Sequence, residues 1–311
     1  MASNLITSRG VIGKFYARLE QAVGAEWTNP LSMYIPSDQA SENYAWLGQS
    51  PTMREWVGGR LAKKLREQDY TIKNKKYEST LEINCDDVRR DKTGQIDVRI
   101  NDQADRANAH WAKLLSTLIA NGASADCYDG KYFFDDDHSE GDSGTQDNDL
   151  TYTVSTAANP SAAEMEAAIM QAVQAIMGFK DDQGEPMNEN AHSFRVMVPV
   201  NMMAAAAAAL KNPVIVDSNG SRTNTITNIG GFQFELDVNA RLTGTSVFYV
   251  FRADGVAKPF IRQEEVPIKL SAVAEGSELE FNEDIWRFGI MTIRNVGYGL
   301  WQHAVMTTFS T

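Results

Sequence analysis

The sequence is poor in cysteine and has no long apolar run. Its two cysteines, Cys85 and Cys127, belong to no Cys-x-x-Cys pair, so the pattern predicts no structural zinc and favours a reducing compartment. No stretch approaches the ~20 apolar residues that cross a bilayer. The first twenty residues lack the basic start and unbroken apolar core of a secretory signal. We therefore expect synthesis in the cytoplasm and no membrane partner.

The chain also lacks an excess of basic residues. Among 311 residues, Lys and Arg number 29 and Asp and Glu number 41, which gives a net charge of −12. A protein that reads nucleic acid needs a basic surface to neutralise phosphates. If this protein works near DNA, its negative net charge predicts that it surrounds the DNA without binding it tightly.

Signatures of known catalytic sites are missing as well. The sequence has no HExxH, no GxSxG, no phosphate loop that ends in Gly-Lys-Ser/Thr and no GxGxxG. We interpret each of its four histidines as a polar surface or core-edge residue: His110, His138, His192 and His303. The sequence therefore predicts neither an enzyme nor a bound cofactor.

One acidic run, Asp135-Asp136-Asp137-His138, has residue types that ligate metals. The run lacks the spacing of an EF-hand, and consecutive residues of an extended segment point to opposite faces. A solvated acidic loop is therefore favoured over a metal site. The rival hypothesis is a metal-dependent enzyme that uses Asp135, Asp137 and His138.

The pattern that is present predicts an α+β protein. Apolar residues in 1–35 have the spacing of one helix face, which would cover either the chain's own core or a neighbouring subunit. Alternation around the turn Lys73-Asn74-Lys75 predicts a hairpin that needs a partner surface. A helix is predicted over Asp102–Asn121, and a second one begins at Asn159-Pro160, with Pro at its first position. Four further elements are an alanine-rich helix (201–210) and strands over 194–198, 285–300 and 304–309, with other short strands between 214 and 251.

Four segments resemble the major head (capsid) protein family of Mu-like tailed phages, a branch of the Hong Kong 97-like capsid proteins. They are NLITSRGVIGKFYARLEQA, YAWLGQSPTMREWVGGR, QADRANAHWAKLLSTLIANG and CYDGKYFFDDDH. The resemblance covers nearly the whole chain and is weaker between about 212 and 280. It implies a structural protein that assembles as hexamers and pentamers into an icosahedral head around double-stranded DNA. A phage tail or adhesin protein is kept as a further alternative.

The resemblance also implies a division of the chain. The parts are an N-terminal arm (1–35), an extended loop (36–95), a peripheral domain (96–156) with its spine helix (102–121), an axial domain (157–265) and return strands (266–311). Within the arm and the loop, eight residues are predicted to contact neighbouring subunits: Phe15, Tyr16, Leu19, Trp46, Trp56, Tyr70, Ile72 and Tyr77.

The expected partners follow from the same resemblance. They are further copies of the chain, separate scaffold, protease and portal proteins, and, in some heads, a decoration protein. No charged helical segment precedes the arm, so scaffolding is expected from a separate protein. Three lysines lie near the predicted loop tip, but nothing identifies a partner for an isopeptide bond, and no cross-link is predicted. The location is the virion.

Overall fold

A computed structural model describes residues 7–21, 26–44, 70–91, 94–217 and 220–311. Within these ranges the helices are α1 (Ser8–Glu20), α2 (Thr28–Leu31), α3 (Cys85–Arg90), α4 (Gln95–Asn108), α5 (His110–Ala120), α6 (Ala162–Gly178), α7 (Met203–Lys211), α8 (Thr225–Asn228) and α9 (Glu278–Glu283). The strands are β1 (Ser32–Pro36), β2 (Ser41–Asn43), β3 (Thr71–Lys73), β4 (Lys75–Asn84), β5 (Asp149–Thr153), β6 (Ser193–Val198), β7 (Val214–Asp217), β8 (Gly220–Thr223), β9 (Gln233–Val238), β10 (Val247–Arg252), β11 (Phe260–Val273), β12 (Ile285–Tyr298) and β13 (Ala304–Ser310).

Two sheets form the framework. The first has the strand order β1-β11-β12-β4, in which β12 is antiparallel to both of its neighbours and β1 is parallel to β11. The second has the order β5-β13-β10-β6-β9 and carries helices α6 and α7. The pairs β2–β3 and β7–β8 form two small ribbons. Strands and helices are thus mixed without a repeating βαβ order, as expected for an α+β fold.

Two hydrophobic cores hold these layers together. The larger core lies around the five-stranded sheet and includes Phe194, Phe248 and Trp301, all fully buried. The smaller core lies at the far end of the four-stranded sheet, where Phe15 of α1 and Ile100 of α4 meet the strand ends. Side chains of this size each contribute about 1.5–3 kcal/mol when fully buried.

The predicted helix over Asp102–Asn121 is two helices. Helix α4 begins earlier, at Gln95, and α5 starts after a break at Ala109. The buried guanidinium of Arg294 occupies the break: its Nη2 donates to the carbonyl of Ala107 at 3.2 Å, and its Nε donates to Nδ1 of His110 at 3.0 Å. The sequence could not predict the break because its cause lies on a distant strand.

The predicted hairpin around Lys73-Asn74-Lys75 is wrong. Strand β3 pairs with β2, whereas β4 pairs along its length with β12, so the two strands belong to different sheets. Asn74 fixes the crossing: its backbone N–H donates to the Ala40 carbonyl at 2.9 Å, and its side chain accepts from Gln263 at 2.9 Å. The partner surface that this segment needed is supplied by the same chain.

Two smaller expectations also need correction. Helix α6 begins after Pro160, because Ser161 is the N-cap and forms a capping box with Glu164. His138 and His303 are buried rather than at the surface or the core edge. The boundary expected at residue 265 lies within strand β11 of the four-stranded sheet, and the division of the chain stays a prediction.

Candidate intersubunit surfaces

The N-terminal helix α1 packs on its own chain. Val11 and Phe15 are buried against α4 and the end of the four-stranded sheet. Ion pairs support the same contact, because Lys14 Nζ lies 2.5 Å from Asp97 and Arg18 donates to both oxygens of Asp105 at 2.8 Å. Of the two surfaces that the sequence left open for this helix, the chain's own core therefore covers its apolar face.

The predicted contact residues of α1 differ in exposure. Phe15 is 0% exposed, so burial in its own chain already accounts for its apolar character. Tyr16 and Leu19 are only partly buried, and Tyr16 Oη accepts from the backbone N–H of Leu270 at 3.1 Å. Part of each of these two side chains remains accessible to a neighbour.

The other predicted contact residues lie in or beside the segment 36–95. Trp46 and Trp56 lie outside the described residues. Ile72 is buried against Gly297. A Cβ atom at position 297 would collide with Cδ1 of Ile72, so the contact requires glycine there. Tyr70 is partly buried and its Oη accepts from the Tyr298 backbone N–H at 2.8 Å.

Tyr77, the last predicted contact residue, is also partly exposed. Its ring meets His110 edge-on, with ring centroids 4.5 Å apart. A contact role stays a prediction for all eight residues.

The ribbon β7–β8 exposes an apolar face that the sequence analysis did not single out. Val214 and Val216 are 51% and 71% exposed, and they share one face because side chains alternate along a strand. Ile215 between them is 2% exposed and points into the protein. The apolar run Val-Ile-Val after Asn212-Pro213 could have indicated this strand, but a run that is apolar on both faces does not show which face is covered.

Polar contacts beneath this ribbon attach it to helix α6. Glu166 is 2% exposed, pairs with Arg222 of β8, and accepts from the Thr225 backbone N–H at 2.6 Å. Burial alone would raise the pKa of Glu166, but Arg222 and Thr225 stabilise the carboxylate and hold the pKa below its usual value. Arg222 also donates to Asp217 at 3.1 Å. These contacts hold the ribbon that carries the exposed valines in a fixed position on α6.

A second exposed apolar side chain lies on α9, which joins β11 to β12. Phe281 is 89% exposed on a turn of helix that also carries Glu278, Glu280 and Glu283. The Glu280 carboxylate already has a partner in the chain, because it accepts a hydrogen bond from Trp286 Nε1 at 3.0 Å. The tip of the four-stranded sheet therefore presents one aromatic ring within acidic surroundings.

The acidic run is divided between two sides of its segment. Asp137 pairs with Lys131 at the surface, and Asp135 accepts from the Tyr132 and Asp136 backbone N–H groups at 3.1 and 2.9 Å. His138 is 0% exposed and points inward. The side chains of Asp135, Asp137 and His138 thus do not form one open site, and the enzyme hypothesis built on them is not supported.

Comparisons with known proteins agree with this architecture. The chain matches the family described as "Mu-like prophage major head subunit gpT" over residues 7–163 and 230–309. It is 24% identical over 278 residues to the Mu-like prophage FluMu major head subunit of Haemophilus influenzae, which covers 88% of this chain and 64% of that protein. It is 34% identical over 110 residues to the major capsid protein of Escherichia phage Mu, which covers 35% of this chain and 36% of that protein. The chain therefore spans under two thirds of the length of either relative.

Solved structures show the same fold. A chain from the procapsid of bacteriophage JBD30 superimposes with a TM-score of 0.55 at 24% identity, covering 98% of this chain and 77% of that one. A chain from a virus-like particle of Pyrococcus furiosus gives a TM-score of 0.51 at 12% identity, covering 95% and 98%.

None of the helices in the described ranges is long and apolar enough to cross a membrane. The family match spans well over half of the chain, and both sheets lie largely within it. This chain belongs to the Mu-like major head subunit family and has the Hong Kong 97-like capsid fold.

Proposed function

We propose that this protein is a structural subunit that assembles as hexamers and pentamers into an icosahedral phage head around double-stranded DNA. The family match over residues 7–163 and 230–309 carries the proposal. The likeness to capsid chains over nearly the whole length supports the fold that such a subunit requires. The location that follows is the virion.

The mechanism is association through many weak contacts. Apolar side chains are exposed on projecting elements, with Val216 on the β7–β8 ribbon and Phe281 on α9. Burial of apolar area contributes about 25 cal/mol per Å², and contacts repeated around a closed shell reinforce one another. The net charge of −12 suits a wall that does not adhere to its genome.

We assign the parts as the resemblance implies. Residues 1–35 would be the arm, 36–95 the extended loop, 96–156 the peripheral domain, 157–265 the axial domain and 266–311 the return strands. Two strand pairings bear on this proposal: β4 of the proposed loop is an edge strand of the four-stranded sheet, and β13 of the proposed return strands pairs with β10 of the proposed axial domain.

The partners would be further copies of the chain and separate scaffold, protease and portal proteins, with a decoration protein as a further candidate. The subunit would have no catalytic activity of its own. Electron microscopy of the purified protein tests these proposals. We expect isometric shells or capsomers. Tubes or trimers would favour the tail or adhesin alternative, and a persistent monomer that hydrolyses a substrate would reject the capsid role.

A further inference from the structure

The segment between α5 and β5, residues 121–148, is well packed although it contains no helix or extended strand. Isolated bridges, Asp126 with Tyr132 and His138 with Gln146, are its only β pairing. The segment nevertheless buries both Phe133 and Phe134. Loops longer than about 12–15 residues with no secondary structure of their own are uncommon, and those that are ordered are usually functional.

Three side chains with metal-binding atoms meet inside this segment. Cys127 Sγ lies 2.9 Å from Asp129 Oδ1, and His138 Nδ1 lies 2.7 Å from Asp129 Oδ2. The three ligand atoms all lie within 4.8 Å of one another. Cys127 is 5% exposed and His138 is 0% exposed, while the Asp129 side chain is 4% exposed.

Local structure holds each of these groups in place. Cys127 and Asp129 lie on one tight turn, where Gly130 has φ +80° and the Cys127 N–H donates to the Lys131 carbonyl at 2.8 Å. The ring of His138 stacks on Trp301, with centroids 3.9 Å apart and planes 6° apart. This stacking keeps the Nδ1 edge of the ring directed at Asp129.

We propose that Cys127, Asp129 and His138 bind a zinc ion. A thiolate, an imidazole and a carboxylate are all zinc ligands, and the thiolate disfavours the hard cations Mg²⁺ and Ca²⁺. One thiolate and one carboxylate also neutralise the two charges of the ion, so the buried site would carry no net charge. On binding, the Cys127 S–H proton leaves to solvent and a zinc–sulfur bond forms. The proton on His138 Nδ1 moves by way of solvent to Nε2, which has no hydrogen-bond partner among the described residues, so the neutral ring binds the ion through Nδ1.

The required movement is small. Zinc bonds of about 2.0–2.3 Å in a tetrahedral arrangement place neighbouring ligand atoms about 3.3–3.5 Å apart. The hydrogen-bonded pairs would therefore separate by about 0.6 Å each as the ion replaces the protons between them. Water would take the fourth position.

The test uses the full chain, stripped with a chelator and reloaded with zinc or with cobalt as a spectroscopic probe. We expect about one zinc per chain by elemental analysis. We also expect a near-ultraviolet band from thiolate-to-cobalt charge transfer. Cys127→Ser should abolish the band. Cys85→Ser, which removes the other buried cysteine, should retain it, as should Asp137→Ala in the outer acidic run.

The wild-type chain alone can overturn the proposal, so it does not depend on the folding of a variant. A folded wild-type chain that takes up no stoichiometric zinc and shows no thiolate band would reject the site. A band that persists in Cys127→Ser, or disappears in Cys85→Ser, would assign the metal to other ligands.

Discussion

The carboxylate of Glu166 is a buried charge whose partners come from a separate element. It lies on α6, and it is satisfied by Arg222 of the β7–β8 ribbon and by the backbone N–H of Thr225 at the start of α8. Hydrogen bonds to a charged group contribute about 1.5–3 kcal/mol. Arg222 is 39% exposed and could be solvated if its partner were lost, so the lower end of that range applies.

We therefore predict that Glu166→Gln lowers the free energy of unfolding by about 1–2 kcal/mol at pH 7. The pKa of Glu166 is lowered in the folded chain, so the carboxylate stabilises the fold above the unfolded pKa of about 4.3. This contribution is lost as the pH falls through the folded pKa, and the two chains should then converge. Denaturant unfolding across this range measures the difference, with exposed Glu185→Gln as the control. Equal stability at pH 7 would contradict the prediction.

Burial of His303 makes the stability of the fold depend on pH. Burial, together with the positive charge of Arg252, lowers the pKa of His303 to about 4. The unfolded chain takes up a proton near pH 6.5, whereas the folded chain does not do so until about pH 4. Acidification between these values therefore favours the unfolded chain, by about 3 kcal/mol at most.

We predict that His303→Gln reduces the loss of stability between pH 6.5 and pH 4. The side-chain amide can still donate to the Ala257 carbonyl, which His303 Nδ1 contacts at 3.1 Å. The measurement is the slope of the unfolding free energy against pH. His192→Gln is the matched control, because His192 has a side chain that is 59% exposed. An unchanged slope for His303→Gln would show that the buried ring does not titrate as argued.

Three single residues show what the sequence could not predict, namely which surfaces and partners their side chains meet. Apolar spacing identified Phe15 and Ile72 as side chains that some surface must cover, and they were predicted to contact a neighbouring subunit, because spacing cannot say whether that surface belongs to the same chain. Both are buried in it. His138 was interpreted as a surface or core-edge residue because it belongs to no known motif, and its partners Cys127 and Asp129 lie across a turn that only the fold closes.

At the scale of elements, regular patterns were predictable and interrupted ones were not. Strand β12 was found because its side chains alternate, and strands β6 and β13 were found as short apolar runs. Strand β11 was missed because bulges between Glu264 and Lys269 shift its alternation, and Pro267 breaks the pattern further. Proline is tolerated there because β1 pairs with β11 only as far as Glu264, which leaves that edge open.

The β7–β8 ribbon is the element whose exposed face most directly tests assembly. We predict that Val216→Asp leaves the fold intact, because Val216 is 71% exposed, and lowers the yield of assembled particles at least about tenfold. A buried unpaired carboxylate in a contact between copies would oppose association. Sedimentation of the purified variant measures the yield.

Val256→Asp is the control, because Val256 is 99% exposed in the loop between β10 and β11 and lies outside the ribbon. Particle yields that fall equally in both variants would point to net charge as the cause. An unaffected yield in Val216→Asp would remove the ribbon from the proposed contacts.

At the scale of the whole molecule, the described residues form two cores and two main sheets, and residues 45–69 lie outside the described ranges. The chain leaves the described fold at Tyr44 and returns at Tyr70, and the Tyr44 N–H donates to the Tyr70 carbonyl at 2.9 Å. Both residues pack on the larger core. A short link can therefore join these two positions, because bridging neighbouring strand ends costs little loop-closure entropy.

Replacement of 45–69 by a short Gly-Ser turn should therefore give a folded chain that no longer forms particles. Strand β4 must be retained, because it pairs with ten residues of β12 and its removal would expose the middle of the four-stranded sheet. Circular dichroism and thermal unfolding report the fold, and sedimentation with electron microscopy reports assembly. Shells of normal size from the shortened chain would show that copies associate without this segment. The contact role proposed for Trp46 and Trp56 would then be wrong, while the role proposed for the β7–β8 ribbon would stand.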